Sequence, residues 1–162
     1  MSATEGSLAD KDVAYHDLEL QARGLFAGES DAIANAANLA ALIGQGLPDL
    51  NWAGFYLLKE GELVLGPFWG KPAVARIALG RGVCGAAAAR RETVIVEDVH
   101  EFPGHIACDP ASNSELVVPI LKDGALIAVL DLDSPRTGRF DEADAAGIAG
   151  LGALWAKASR TE

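Results

Sequence analysis

A chain of 162 residues, half of them hydrophobic, is long enough for one domain with one core and too apolar for disorder. Its formal net charge of −10 excludes the Lys and Arg clusters that nucleic-acid phosphates and anionic membranes require, and favours a small zwitterionic or cationic ligand or a basic partner. The opening MSATEGSLADKD lacks the basic start and apolar stretch of a secretion signal, and no run reaches transmembrane length. The expectation is a cytoplasmic protein, in which reduced thiols argue against a permanent disulfide between its two cysteines, Cys84 and Cys108.

Residues 1–10 read as a loose tail. A first helix is expected over about Lys11–Leu25, with Val13, Leu18, Leu20 and Leu25 roughly on one side. Ser30 is the expected N-cap of a second, Ala-rich helix, Asp31–Ile43, ended by Gly44 and Gly46. The period then changes. WAGFYLL (Trp52–Leu58) reads as a strand, KEGE as a turn and LVLGPFWG (Leu63–Gly70) as the hairpin partner. A short strand, Arg76–Leu79, precedes GRGVCGAAAARR, whose glycines turn the chain into a helix from about Val83 to Arg90. TVIVED is another strand. The irregular segment Val99–Ser114 is long for a compact domain, and such loops are usually functional. ELVVPIL, a turn at KDG, and ALIAVLDLD resume the sheet, and the acids of DEADAAG suit the positive end of a last helix. Strands joined by tight turns imply an α+β fold: a central antiparallel sheet with N-terminal and C-terminal helices packed against it. No repeat or linker divides the chain, so 1–162 reads as one domain.

Three groups of residues carry chemistry. Cys108 lies in GHIACDPASNSE among His105, Asp109, Ser112 and Asn113, a polar setting that leaves packing and reactivity level. Cys84, in GVCG, stands at a helix start with Arg81 nearby, which stabilises a thiolate, although its small neighbours fit packing better. Asp131 and Asp133 point to one strand face by alternation, and Glu115 begins another strand. Buried carboxyls of this kind must be paired or protonated, and a protonated one can serve as an acid at neutral pH. Trp52 and Tyr56 share a strand face and can wall an apolar pocket. A zinc site from Cys84, His100, His105 and Cys108 has the right residue types but lacks the closely paired cysteines of structural zinc, and no metal is expected. A thiol, a carboxyl acid and an aromatic wall together suggest thiol or redox chemistry on a small molecule.

NWAGFYLL, LVLGPFWGKPA, GRGVCGAA, VEDVHEFPGHIACDPASNSELVVP, LDLDS and GRFDEAD resemble the free methionine-R-sulfoxide reductases, enzymes built on a GAF domain. The likeness runs from about Asn51 to Asp144. It implies a GAF fold and reduction of free L-methionine-R-sulfoxide, with Cys108 as the nucleophile. Glu115, Asp131 and Asp133 would bind and protonate the sulfoxide oxygen. Trp52 and Tyr56 would hold the methylthio end, and backbone N–H groups of Ile106, Ala107 and Cys108 would receive the carboxylate. The resemblance further implies a Cys108 sulfenic acid, then a disulfide recycled by thioredoxin or an equivalent dithiol, with no other cofactor, and a homodimer. Members of that family often carry a third, resolving cysteine in the KPA segment. Val74 stands there in this chain, which leaves Cys84 as the expected resolving thiol. The alternative reading is a non-catalytic GAF module that binds a small ligand.

Overall fold

The computed structural model describes residues 8–105 and 109–161. The expectations placed on Ile106, Ala107 and Cys108, and on residues 1–7, lie outside the described residues.

Two helices, α1 (Leu8–Phe26) and α2 (Ala32–Gly46), precede the hairpin β1 (Trp52–Lys59) and β2 (Glu62–Gly70). The chain continues through β3 (Arg76–Ala78), α3 (Gly82–Arg90), β4 (Val94–Val96) and a 3-10 turn at Val99–Glu101. It ends with β5 (Ser114–Lys122), β6 (Ala125–Ser134) and α4 (Glu142–Ala158). The strands form one six-stranded sheet in the order β3-β2-β1-β6-β5-β4, every pairing antiparallel. Hairpins β1–β2 and β5–β6 turn through Glu60–Gly61 and Asp123–Gly124, each pair at positive φ, the condition for a two-residue turn that matches strand twist.

Strand alternation divides the sheet into two faces. Ala53 and Phe55 of β1, Leu116, Val118 and Ile120 of β5, and Ala128, Leu130 and Leu132 of β6 form the larger core with α1, α2 and α4. Trp155 of α4 packs on Phe55 there, with ring centroids 4.8 Å apart. The opposite face carries Trp52, Tyr56, Val117 and Val129 and is covered by Val83, Cys84, Ala87 and Ala88 of α3. One helix therefore closes the functional face of the sheet, while three support it from behind.

Both N-terminal helices correct the sequence reading. α1 begins at Leu8 and buries Tyr15, Leu18, Ala22 and Phe26, a run at helical spacing. Val13 and Leu20, assigned to the buried side, are 62% and 55% exposed, and Leu25 is exposed as well. Tyr15 and Ala22, outside the expected Val and Leu set, complete the inward stripe. α2 is capped by Asp31, not Ser30: the Asp31 side chain accepts from Ala34 N–H at 2.8 Å. Gly46 is the last residue of α2, as expected, whereas Gly44 lies within the helix. Gly44 is required by close approach, because a Cβ there would lie 2.3 Å from Cδ2 of Trp69.

This contact sets up a contrast between two helical glycines. Gly44→Ala should destabilise the fold by about 1 kcal/mol, because overpacking against Trp69 costs about 1–3 kcal/mol and outweighs the helix-propensity gain of about 1 kcal/mol. Gly150→Ala in α4 meets nothing within 4 Å and should show that gain alone. Urea denaturation of both variants checks the pair, and equal shifts would contradict the steric account of Gly44.

Candidate active site

Register assembles the acids. β5 sets Glu115 opposite Asp133 and Val117 opposite Asp131, while β1 sets Trp52 opposite Asp133 and Gly54 opposite Asp131. Period-two alternation sends all three carboxyls to the face that α3 covers. Gly54, opposite Asp131, lets Phe68 and the Trp52 ring pack directly on the strand. A Cβ at that position would lie 2.4 Å from Cβ of Phe68 and 2.8 Å from Cη2 of Trp52. The first turn of α3 contributes Cys84. Its sulfur and one oxygen each from Glu115 and Asp131 lie within 4.8 Å of one another, and all three residues are buried. Hydrogen bonds join Glu115 to Asp131 and Asp133, and Asp131 to Cys84.

Like charges in a low dielectric cannot all ionise at neutral pH. Burial, reinforced by the charge of Asp133, pushes the Glu115 carboxyl up to about 8. Burial followed by the charge of Glu115 raises Asp131 well above the carboxylate range. Burial followed by the charge of Asp131 does the same to Asp133. The cluster thus holds protons at neutral pH. The Cys84 thiol is pushed well above its ordinary value, first by burial and then by Asp131, Glu115 and Asp133. This corrects the expectation that the helix start and Arg81 would favour a thiolate. Three acids at contact range outweigh a partial helix charge.

The aromatic wall is present, in two layers. Tyr56 lines the cleft, and its hydroxyl donates to the Val74 carbonyl at 2.8 Å. Trp52 backs it by stacking on Tyr56 at 6.1 Å and on Phe68 at 5.3 Å, with its indole N–H donated to the Lys71 carbonyl at 3.0 Å. Phe55 and Trp69, close in sequence, serve the opposite face.

The cleft holds about 420 Å³ of unfilled space, counting its open side. Val74, Ile77, Arg81, Cys84, the three acids, His105, Asp109 and Ser112 help to line it. His105 and Asp109, the described sequence neighbours of the 106–108 segment, therefore both reach the cleft. His105 Nε2 lies 3.5 Å from Glu115 Oε1, and burial lowers the imidazole pKa, so the ring faces the acids as a neutral group. His100 is exposed, bonded to Asp98 at 2.8 Å and absent from the lining, so the four-residue zinc set is not brought together.

Sequence reading left Asn51 without a part. Its side-chain N–H₂ donates to Asp109 Oδ2 at 3.0 Å and to Ser112 Oγ at 2.9 Å, tying the loop to the start of β1. Asn113 donates to the Pro135 carbonyl at 2.7 Å and Ser114 to the Arg136 carbonyl at 2.6 Å. The polar run of ASNSE thus fastens the loop to both ends of its frame. Its density of short polar side chains was the available signal.

The GAF domain model matches residues 31–158. Free methionine-R-sulfoxide reductase of Escherichia coli is 53% identical over 134 residues, which are 83% of this chain and 81% of that protein. The crystal structure of free methionine-R-sulfoxide reductase from Neisseria meningitidis in complex with its substrate is 44% identical, with a TM-score of 0.88 over 98% of this chain and 95% of that one. The reduced form of fRMsr of Staphylococcus aureus is 48% identical, with a TM-score of 0.86 over 89% and 94% of the two chains. With the acid cluster, the Trp52–Tyr56 wall and Cys84 set on this sheet, the chain belongs to the GAF-domain family of free methionine-R-sulfoxide reductases.

Proposed function

We propose that this chain reduces free L-methionine-R-sulfoxide to methionine with thiol electrons. The observation that carries the reading is a buried carboxyl cluster, Glu115, Asp131 and Asp133, set beside an aromatic wall in one cleft, where burial favours the protonated form. A sulfoxide oxygen leaves only if protonated, and a proton held near neutral pH is the group required.

The Cys108 thiolate attacks the sulfoxide sulfur while the cluster delivers a proton to the oxygen. The sulfur–oxygen bond breaks, the oxygen ends on Cys108 as a sulfenic acid, and methionine leaves reduced by two electrons. A second thiol then displaces that oxygen as water and forms a disulfide. Thioredoxin or another dithiol reduces the disulfide by exchange. Tyr56, backed by Trp52, packs the methylthio end. The backbone of Ile106–Cys108 receives the carboxylate, in keeping with His105 and Asp109 on either side lining the cleft. A coupled assay with thioredoxin, its reductase and NADPH tests the reading. NADPH oxidation should require free methionine-R-sulfoxide and disappear in Cys108→Ser. A wild type that binds methionine yet turns over nothing would leave a ligand-binding module instead.

Cys84 is the proposed resolving thiol. Val74, where relatives place a cysteine, also lines the cleft but offers no sulfur. Burial and the surrounding acids hold Cys84 as a thiol, so it must give up its proton as it attacks, and the oxygen leaving Cys108 as water takes one up. After one turnover without reductant, peptide mapping should recover Cys84 linked to Cys108. A Cys108 sulfenic acid beside free Cys84 would assign resolution to an external thiol. Exposed Val13 and Leu20 on α1 support the proposed homodimer, in which a second copy would cover them.

A further inference from the structure

We propose that Cys84, Glu115 and Asp131 form a binding site for one thiophilic divalent cation, of which zinc is the type. Among the described residues, the Cys84 sulfur and one oxygen each from Glu115 and Asp131 lie within 4.8 Å of one another. Tetrahedral zinc with one thiolate and oxygen ligands needs separations of about 3.3–3.7 Å, a short closure from this arrangement. A second observation points to a ligand. Asp131 Oδ1 is buried and has no hydrogen-bond partner among the described residues, in a side chain only 6% exposed. An unpaired carboxylate oxygen at such depth is costly, and a cation would satisfy it. His105 Nε2 lies 3.5 Å from Glu115 Oε1, at the edge of the cluster.

Charge favours the exchange. Ionised together, the thiol and two carboxyls would carry three negative charges in a buried space. Protons relieve that repulsion in the free protein, and a dication would replace them, releasing protons as it binds. A thiolate among the ligands favours zinc or cobalt over magnesium or calcium, which take oxygen cages. This set shares only Cys84 with the cysteine and histidine set considered from residue types, and its two carboxylates are brought together by the strand register.

The metal site stands on this geometry alone. Its consequence rests on the proposed function: zinc would occupy the acids that receive the sulfoxide, so metal and substrate would exclude each other.

Cobalt(II) added alone to the reduced, full-length protein is the probe. One equivalent should bind and give a near-ultraviolet sulfur-to-cobalt charge-transfer band. Cys84→Ser should abolish the band, Cys108→Ser should retain it, and Asp131→Asn should weaken binding by more than the roughly 10–100-fold typical of groups that only orient a ligand. A band lost in Cys108→Ser and kept in Cys84→Ser would overturn the site. X-ray absorption of the zinc-loaded wild type needs no variant to fold. One sulfur at about 2.3 Å among oxygen or nitrogen neighbours is expected, whereas no sulfur or two would overturn it. In Cys108→Ser, which cannot turn over, free methionine-R-sulfoxide should displace the cobalt. A band that persists against substrate would leave the metal site standing and overturn the placement of the sulfoxide at these acids.

Discussion

Glu115→Gln is expected to lower kcat for free methionine-R-sulfoxide by about 10²–10⁴-fold, the usual worth of a positioned acid. Stability near neutral pH should hold or rise. Glutamine keeps the shape of the side chain and can still hydrogen-bond Asp131 and Asp133, and it cannot ionise in the crowded, buried set as pH rises. The pH dependence has a definite sign. The acid form of Glu115 is the active one and its carboxyl is pushed up to about 8, so wild-type kcat should fall as pH rises through about 8. Folding stability moves the same way. A carboxyl raised in the folded state from its ordinary 4.5 contributes fully below 4.5, and that contribution is lost as pH climbs toward about 8. Urea midpoints measured across that window should decline more steeply in wild type than in Glu115→Gln. Parallel slopes would show that Glu115 does not hold the proton, and an equal fall in stability and turnover would make it a core group rather than an acid.

The parts of this site that were legible in the sequence are those governed by strand periodicity. Asp131 and Asp133 had to share a face, as did Trp52 and Tyr56, and both pairs do so. Glu115 joins the acids through the pairing of β5 with β6, but the short turn at Asp123–Gly124 alone would set it opposite Leu132; a one-residue register shift between Ile120 and Leu121 brings it opposite Asp133, which the sequence did not show. What spacing did not carry was the effect of α3. Its approach to the sheet converts Cys84 from a thiol at a helix start into one surrounded by carboxyls, reversing the direction of its expected pKa shift. Asn51 was opaque for a related reason. Its partners, Asp109 and Ser112, are about sixty residues away in the chain, and only tertiary structure shows that an amide is required there. The face of α1 was misread because Leu20 and Val13 outweigh Ala22 and Tyr15 on any hydrophobicity scale, whereas packing also rewards a ring with a satisfied hydroxyl and a methyl that lets helices approach.

Asp144→Ala is expected to cost about 3–5 kcal/mol, the loss typical of removing one partner from a buried ion pair. The Asp144 side chain is 1% exposed and collects donors from three parts of the chain. Lys11 Nζ reaches it at 2.8 Å and the Tyr15 hydroxyl at 2.8 Å, both from α1. Arg139 Nη1, from the segment before α4, lies 3.3 Å from each oxygen. The backbone N–H of Asp141 donates at 3.0 Å, and the Asp141 carboxylate returns a bond to the Asp144 N–H at 3.1 Å, which closes a capping box on α4. Burial, aided by the charge of Asp144, drives the Tyr15 hydroxyl far above its ordinary value, so it remains a donor at every working pH. Removing the carboxylate strands the Arg139 guanidinium, which is buried and keeps the Pro48 carbonyl, at 3.2 Å from Nε, and the Phe140 ring, 5.4 Å from its Cζ, but no described anionic partner. That uncompensated charge is the main cost, because the exposed Lys11–Asp141 pair is worth at most about 1 kcal/mol. The network also reaches the active strand: Ser114, which precedes Glu115, accepts from Arg139 N–H at 3.4 Å and donates to the Arg136 carbonyl. Equilibrium unfolding in urea should therefore show a much lower midpoint with an unchanged slope, together with loss of α1 docking. Asp141→Ala, which removes the cap and the exposed pair but leaves Asp144 in place, should cost no more than about 2 kcal/mol. Should the two variants prove equally destabilised, the capping box rather than the buried charge would be the element that holds α1 to α4.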